Sequence, residues 1–534
     1  MSWRPCREPA RAGGPGPADA SNAKGSSRPA GPGGPAGRAE TAGAPGTSGT
    51  PGEPGAQNPA GASAMPPAEP NTPAAPAAPT QPTDFECTTL LVPLDYAHPD
   101  AGSGDVRLSV SRKRATDKAR RLGSLLVNPG GPGGSAVGYL QAYAALGYPA
   151  PVRARYDMVA ADPRGVARSE PVTCLPGRDM DAYVRVDQTP DDATERHRLV
   201  RSYQEHARGC QRRSGRLLGH VSTVEAARDM DVLRAALGDR RLTYVGASYG
   251  TFLGATYAGL FPTRVGRLVL DGAMDPTLTA GQMNLDQTGG FETAVTAFLT
   301  DCVRRAGCPL GTRDRATAVR RLAELFQRID ARPLPTRERR TLTESLATTG
   351  VLSAMYDEGA WPLLRTGLAA AGKGDGTGLL QLADAYYERS PDGTYSNLMA
   401  ANQAVNCLDL PPSFRRPADV SKALPAFEKA SPLFGSGLAW AALSCTYWPV
   451  EATGGPHRIE AAGAPPILVV GTTRDPATPY RWARALAAQL SSGHLLTYEG
   501  DGHTAYGRGS TCIDTTINTY LLTGHPPTPA KRCS

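Results

Sequence analysis

The stretch that decides the fold reads Leu242-Thr243-Tyr244-Val245-Gly246-Ala247-Ser248-Tyr249-Gly250 and continues into Thr251–Leu260. The apolar run Leu242–Val245 is typical of a buried strand, and the residues after the second glycine are compatible with a helix. The small residues around Ser248 allow the tight strand-to-helix turn that projects a serine hydroxyl. The pattern predicts a nucleophile at Ser248, with the Tyr249 backbone N–H directed at a developing oxyanion.

Other short apolar runs alternate with helix-compatible segments along the chain. The predicted strands are Leu90–Leu94, Val106–Val110, Ser124–Val127, Tyr156–Ala161, Leu242–Gly246, Arg267–Leu270, Ile467–Val470 and Leu495–Tyr498. Helices are predicted at Ser222–Leu237, Tyr480–Leu490 and Ile513–Leu522. Alternation of this kind indicates an α/β fold with a mostly parallel sheet covered on both faces, in which functional residues collect at the carboxyl ends of the strands.

The pattern changes between residues 277 and 455, where no convincing strand is found. Helices are predicted there at Phe291–Arg305, Asp314–Ala331, Leu342–Tyr356 and Leu379–Arg389. A helical block inserted in an α/β core is most simply a cap over the active site. The expected organisation is a first core part at 84–276, a helical cap at 277–455 and a second core part at 456–534.

Residues 1–83 are a low-complexity tract rich in Pro, Ala and Gly. Such a composition buries too little apolar surface to offset its ordering entropy, so the tract is expected to be disordered and is given no catalytic role. It is either a spacer or an upstream extension that the mature protein lacks.

A serine nucleophile needs a general base and an acid that orients it, and an α/β-hydrolase fold places them in the order Ser, Asp or Glu, His. His503 follows the last predicted strand and is the expected base. His494 begins a strand and His525 lies in a Pro-rich tail, so both are expected at the surface.

Asp475 is the expected acid because it follows the predicted strand Ile467–Val470. Asp271 and Asp275 are alternative candidates for this role. They come after the strand that follows the strand-to-helix turn at Ser248, which we call the elbow. Asp501 is a third candidate, although its position beside the histidine is more typical of a turn.

The second oxyanion donor is expected in Asn128-Pro129-Gly130-Gly131-Pro132-Gly133-Gly134-Ser135, at Gly131. Glycines let backbone N–H groups approach a substrate closely. A phosphate-binding loop is not expected, because no Lys follows and the spacing matches neither nucleotide fingerprint. Serine rather than aspartate at the elbow also excludes an epoxide hydrolase or haloalkane dehalogenase. This chemistry requires no metal and no organic cofactor.

The net charge of +7 is spread over 534 residues. No basic run with interleaved aromatics is present, so nucleic-acid binding is not expected. No apolar stretch is long enough to span a membrane, and the polar start Met1–Arg11 shows no signal peptide.

The ten cysteines argue for export instead, since most fall in local pairs without zinc-type spacing. The expected disulfides are Cys174–Cys210, Cys302–Cys308, Cys407–Cys445 and Cys512–Cys533. Cys6 and Cys87 are left over, either paired with each other or free. Buried free thiols are the alternative for the whole set. The missing signal peptide and the paired cysteines point in opposite directions, and on the strength of the cysteines we expect an exported protein.

Taken together, four motifs resemble the secreted tripeptidyl aminopeptidases of the prolyl-aminopeptidase-like α/β hydrolases, namely Asn128–Ser135, Asp162–Ser169, Gly246–Gly250 and Gly500–Gly507. The resemblance extends from about Cys87 to Cys533. It implies an extracellular serine exopeptidase that releases short peptides, such as tripeptides, from free N-termini beneath a helical cap.

Recognition of a free N-terminus requires carboxylates or carbonyls held away from the triad. Asp409 is a candidate because a Cys407–Cys445 bridge would fix its loop. Glu358 and its neighbour Asp357 are further candidates, although both could instead cap a helix or face solvent. An esterase with the same triad, or a catalytically inactive protein of this fold, are the remaining alternatives.

Overall fold

The computed structural model describes residues 1–6, 84–99 and 104–534. Most of the tract expected to be disordered, residues 7–83, therefore lies outside the described residues. Residues 1–6 differ from that expectation, because Arg4–Pro5 form an edge strand of the sheet described next.

Among the described residues, ten strands form a single sheet in the order β1-β2-β3-β5-β4-β6-β7-β8-β9-β10. The strands are β1 Arg4–Pro5, β2 Glu86–Pro93, β3 Asp105–Lys113, β4 Gly123–Asn128, β5 Tyr156–Ala161, β6 Leu242–Ala247, β7 Val265–Asp271, β8 Ile467–Arg474, β9 Gly493–Asp501 and β10 Lys531–Cys533. The pairs from β1 to β5 along that order are antiparallel, and all the others are parallel. The predicted α/β-hydrolase fold with a mostly parallel sheet is confirmed.

All eight strands predicted from the sequence are present, and two short edge strands were not predicted. In β1, Arg4 pairs with Cys87 of β2, and the next residue but one, Cys6, is disulfide-bonded to Cys87. Trp3 lies 3.8 Å from the Arg112 guanidinium. These segments are too short to show an alternating pattern, and the Cys6–Cys87 disulfide beside β1 joins residues 81 positions apart in the chain.

Helices cover both faces of the sheet. Those outside the cap are α1 Ala136–Tyr139, α2 Ala145–Gly147, α3 Ala150–Arg155, α4 Gly177–Val184, α5 Ala193–Leu218, α6 Thr223–Ala236, α7 Tyr249–Leu260, α16 Tyr480–Gln489 and α17 Thr511–Thr523, with a π-helical turn at Leu140–Ala144. Along β8, Ile467 and Val469 pack towards α6, α7 and α16, whereas Leu468 and Val470 pack towards α1, α3 and α17. A strand buried on both faces in this way explains the continuous apolar runs of the sequence.

The cap lies between β7 and β8, where the described chain forms helices joined by loops, with two isolated β-bridges, Leu334–Leu342 and Arg389–Tyr395, and no strand of the sheet. Its helices are α8 Ala280–Val303, α9 Arg315–Ala331, α10 Glu344–Ser353, α11 Trp361–Gly372, α12 Thr377–Tyr386, α13 Leu398–Asp409, α14 Pro417–Ala430 and α15 Gly435–Ala441. Helices α4 and α5 pack against it, since Met180 and Val184 share a core with α8–α12, and Tyr203 shares one with α14 and α15. The residues of both helices belong to the expected first core part, 84–276, and neither helix is predicted from the sequence.

The four disulfides predicted from cysteine spacing are confirmed, and the two remaining cysteines form a fifth, Cys6–Cys87. None of the ten cysteines is free. Cys407–Cys445 joins α13 to the 3-10 helix Ser444–Tyr447, so it fixes two cap segments to each other. No helix in the described ranges is long and apolar enough to cross a membrane.

Non-reducing peptide mapping of the protein from its native compartment should therefore recover five linked peptide pairs. Alkylation before reduction should modify almost no cysteine, and alkylation after reduction should modify all of them. Extensive alkylation without reductant would contradict these pairings.

Candidate active site

The strand-to-helix turn at Ser248 has the conformation that the sequence predicts. Ser248 adopts φ +56° and ψ −125°, in the region that non-glycine residues rarely occupy. Its N–H donates to the Asp271 carbonyl oxygen at 2.8 Å, which ties the turn to the end of β7. Residues are kept in such strained conformations mainly where function requires them.

The two glycines of the motif are required by close backbone approach. A Cβ on Gly246 would lie 2.3 Å from the Gly250 carbonyl oxygen, and one on Gly250 would lie 3.0 Å from the Asn128 carbonyl oxygen. The Tyr244 hydroxyl donates to the Gly250 carbonyl at 2.8 Å. Larger residues at either position would push the turn open.

The glycine-rich loop after β4 packs directly against this turn. A Cβ on Gly130 would lie 2.9 Å from the Tyr249 nitrogen, so only a glycine permits this approach. Gly131, at φ +114°, lines the same cavity as Ser248. The two expected oxyanion donors, Gly131 and Tyr249, therefore lie in adjoining backbone segments next to Ser248.

His503 and Asp475 are in direct contact. Nδ1 of His503 lies 2.8 Å and 2.9 Å from the two carboxylate oxygens of Asp475. The carboxylate also accepts N–H bonds from Ala477, Thr478 and Thr504 at 2.8–3.1 Å, and it is fully buried. An imidazole that donates from Nδ1 to a carboxylate has Nε2 free to accept a proton.

His503 lies beside the serine turn. A Cβ on Gly272, the residue after Asp271, would be 3.3 Å from Cε1 of the imidazole. The Tyr356 ring meets the imidazole edge-on at 5.5 Å, and its carbonyl accepts the His503 N–H at 2.8 Å. The His503 imidazole, the expected base, thus contacts the core on one side and the cap on the other.

The competing acids have other partners. The Asp271 carboxylate accepts backbone N–H bonds from Ala505 and Tyr506 at 2.9–3.0 Å, and burial raises its pKa. Asp275 accepts from the Gln489 amide at 2.8 Å. Asp501 is bound to Arg474 at 2.6 Å. Asp271 therefore holds the loop that carries His503 without touching its ring.

A cavity of about 450 Å³ lies between Ser248 and the cap. The core contributes Gly131, Ser248 and Thr478 to its wall, and the cap contributes Tyr356 and Asn402 among others. This volume lies within the roughly 300–1,000 Å³ typical of small-molecule sites.

Asp409, which the sequence suggests as a contact for a substrate amine, does not line this cavity. Its two carboxylate oxygens accept from the Thr223 N–H at 2.8 Å and the Thr223 hydroxyl at 2.5 Å. The Tyr249 hydroxyl lies 2.6 Å from that Thr223 hydroxyl. Burial raises the pKa of Asp409 to about 7. This residue supports the helix after Ser248 from behind, so we correct the expected amine contact.

The expected amine contact at Glu358 is corrected for a different reason. It is exposed, and it is absent from the cavity wall. Its neighbour Asp357 caps the following 3-10 turn through the Gly359 N–H and pairs with Arg508 at 3.2 Å. The helix-capping alternative describes this pair of acids better than substrate binding does.

Two cavity residues were missed by sequence reasoning. Glu344 is the sole carboxylate in the wall, and His206 also lines it, among the residues that the structure describes. Glu344 begins α10, where an acid is usual and carries no distinctive signal. His206 lies on the apolar face of α5 with Tyr203 and Cys210, a pattern that would have indicated a buried histidine.

A strained serine turn, an adjacent oxyanion loop and a carboxylate-bound histidine on this sheet define a serine hydrolase of the α/β-hydrolase fold.

The family model described as TAP-like protein matches residues 431–533. Serine protease Hip1 of Mycobacterium tuberculosis is 39% identical over 464 residues, covering 84% of this chain and 87% of that protein. Carboxylesterase B of the same organism is 38% identical over 460 residues, covering 84% and 86%. Tripeptidyl aminopeptidase of Streptomyces lividans is 32% identical over 472 residues, covering 84% and 83%. The chain belongs to this family of tripeptidyl-aminopeptidase-like serine hydrolases.

We expect Ser248→Ala, His503→Ala and Asp475→Asn each to lower kcat by on the order of 10³-fold or more, since each removes a member of one catalytic unit. Asp271→Asn should lower kcat less, because the Asp271 carboxylate contacts only the backbone of the loop that carries His503. Steady-state kinetics with circular dichroism would measure both effects. An active Asp475→Asn protein beside an inactive, folded Asp271→Asn protein would show that Asp271 is the acid.

Proposed function

We propose that this protein is a serine exopeptidase that releases short peptides, such as tripeptides, from free N-termini through an acyl-enzyme on Ser248. The observation that carries the proposal is the bounded cavity between Ser248 and the cap, which offers room for a short peptide on the acyl side of the scissile bond. The relatives named serine protease and tripeptidyl aminopeptidase support the same reaction.

In the first half of this reaction, His503 Nε2 takes the Ser248 hydroxyl proton as Oγ attacks the scissile carbonyl carbon. The carbonyl oxygen becomes an oxyanion, which the N–H groups of Gly131 and Tyr249 stabilise. Asp475 stabilises the imidazolium that forms. The tetrahedral intermediate collapses, and the leaving amine takes the proton from His503.

In the second half, water attacks the acyl-enzyme and gives a proton to His503. Collapse of the second intermediate returns that proton to Ser248 Oγ and frees the short peptide as an acid. The part of the substrate beyond the scissile bond leaves in the first half. It lies on the leaving-group side of that bond, so it need not occupy the cavity that receives the acyl side.

An esterase remains the second candidate, because the relative named carboxylesterase B is as similar to this chain as the protease is. The same triad would hydrolyse either substrate. The cavity favours the peptidase, because its wall contains a buried carboxylate, Glu344, that a neutral acyl group would leave unpaired.

We also propose that the protein acts outside the cytoplasm. Five disulfides and no free cysteine are typical of proteins that fold in an oxidising compartment. The substrates would then be extracellular peptides.

Acetylating a tripeptide substrate should lower kcat/KM by at least about tenfold, because it removes the positive charge of the N-terminus and leaves the scissile bond unchanged. The measurement compares free and acetylated tripeptide amidomethylcoumarins. Simple esters serve as the control for the triad. Equal kcat/KM values for the free and acetylated peptides, or turnover of esters alone, would contradict the exopeptidase proposal. The assignment as a serine hydrolase would still hold.

A further inference from the structure

We propose that Glu344 and His206 receive the α-ammonium group of the substrate, and so select peptides with a free N-terminus. This inference rests on the proposed exopeptidase function and names the residues that give it specificity. It replaces the amine contacts that the sequence suggested at Asp409 and Glu358.

Glu344 has the position and the environment that an ammonium site needs. It lines the cavity, it is 9% exposed, and no Lys or Arg accompanies it in the cavity wall that the structure describes. The Thr348 hydroxyl donates to its carboxylate at 2.9 Å. A buried carboxylate with hydroxyl partners alone is costly, and a cationic ligand would supply the missing charge.

The surroundings of Glu344 add negative charge. Burial, together with the carboxylates of Asp187 and Asp330, raises the pKa of Glu344 to about 7. Burial, and after it the carboxylates of Asp191 and Glu195, raises the pKa values of Asp187 and Asp330. This group of acids attracts a cation towards the cavity wall and would repel a carboxylate-bearing ligand.

His206 supplies a second acceptor. It is 1% exposed, its ring stacks on Tyr183 at 4.6 Å, and its Nε2 has no hydrogen-bond partner among the described residues. Its Nδ1 lies 3.7 Å from the Cys210 sulfur. Burial lowers the pKa of His206 to about 4, so the ring is neutral near pH 7. A neutral ring protonated at Nδ1 leaves Nε2 to accept an N–H from an ammonium group.

A continuous part of the cavity wall links the two residues. Tyr183, stacked on His206, packs edge-on against Tyr203 at 6.4 Å. The Tyr203 hydroxyl donates to the Gln188 side chain at 2.6 Å, and the Gln188 N–H donates to Ser345, the residue after Glu344, at 3.2 Å. These residues belong to α4, to α5, to the segment that joins them and to the start of the cap helix α10, so no strand of the sheet contributes to this part of the wall.

The test compares Glu344→Gln with the wild-type chain on free and acetylated tripeptide amidomethylcoumarins. Glu344→Gln should raise KM for the free peptide by about tenfold or more and change kcat little, because the anchor lies away from the reacting atoms. KM for the acetylated peptide should stay unchanged. Glu344→Asp should recover part of the loss. Glu324→Gln, which removes an exposed acid of α9 that is absent from the cavity wall, is the matched control for loss of charge and should leave both KM values unchanged.

The pH dependence separates ammonium binding from a structural effect. The ratio of kcat/KM for free over acetylated peptide cancels the contribution of the triad. In the wild type this ratio should fall below about pH 7, as Glu344 takes up a proton, and above about pH 8, where α-amino groups lose theirs. Glu344→Gln should remove the decline on the acid side.

The outcomes distinguish this inference from the proposed function. Peptide cleavage with free-amine preference that survives Glu344→Gln would overturn the inference alone. An equal rise in KM for both peptides would show a structural role and would overturn it too. If Glu344→Gln raised KM only for acetylated peptides that contain a Lys, the site would bind a side-chain ammonium group instead. That result would also overturn the inference. Turnover of esters and of no peptide by the wild type would remove the proposed function, and this inference with it.

Discussion

The backbone of Ser248 is the constraint on which the rest of the site depends. Holding a serine at φ +56° costs about 1–3 kcal/mol, which the surrounding packing must offset. Three features together hold the turn in this conformation: the glycines on both sides of it, the Asp271 carbonyl that accepts the Ser248 N–H, and the Gly130 loop against Tyr249. The same contacts bring the expected oxyanion donors and the histidine loop to the serine.

Two carboxylates at the ends of neighbouring strands have different tasks because different groups reach them. Asp475 follows β8 and receives the imidazole of His503, whereas Asp271 ends β7 and receives two backbone N–H groups of the same loop. The cap adds a third contact through the Tyr356 carbonyl. The position of His503 therefore depends on core and cap together, and the cap helix α13 also reaches the oxyanion loop, where Asn402 donates to the Pro132 carbonyl.

The fold could be predicted from local pattern because each central strand is an apolar run that ends at a loop of unusual composition. The order Ser248, Asp475, His503 followed from the same pattern. The amine site that we propose could not be predicted, because a cap built of helices carries no motif and its cavity forms from residues far apart in the chain. Asp409 and Glu358 were plausible by charge, and only three-dimensional packing shows that Asp409 bonds to Thr223 and that Glu358 is exposed. Glu344 and His206 look in sequence like an ordinary helix start and an ordinary core residue.

The most direct test of the account is reaction with a fluorophosphonate, which phosphonylates an activated serine and releases fluoride. Mass spectrometry should find one added group per chain, on the peptide that contains Ser248, with loss of activity in proportion. His503→Ala should react far more slowly, because Ser248 would lack its base. Stoichiometric inactivation with the label on another residue, or an unlabelled and fully active enzyme, would contradict the account.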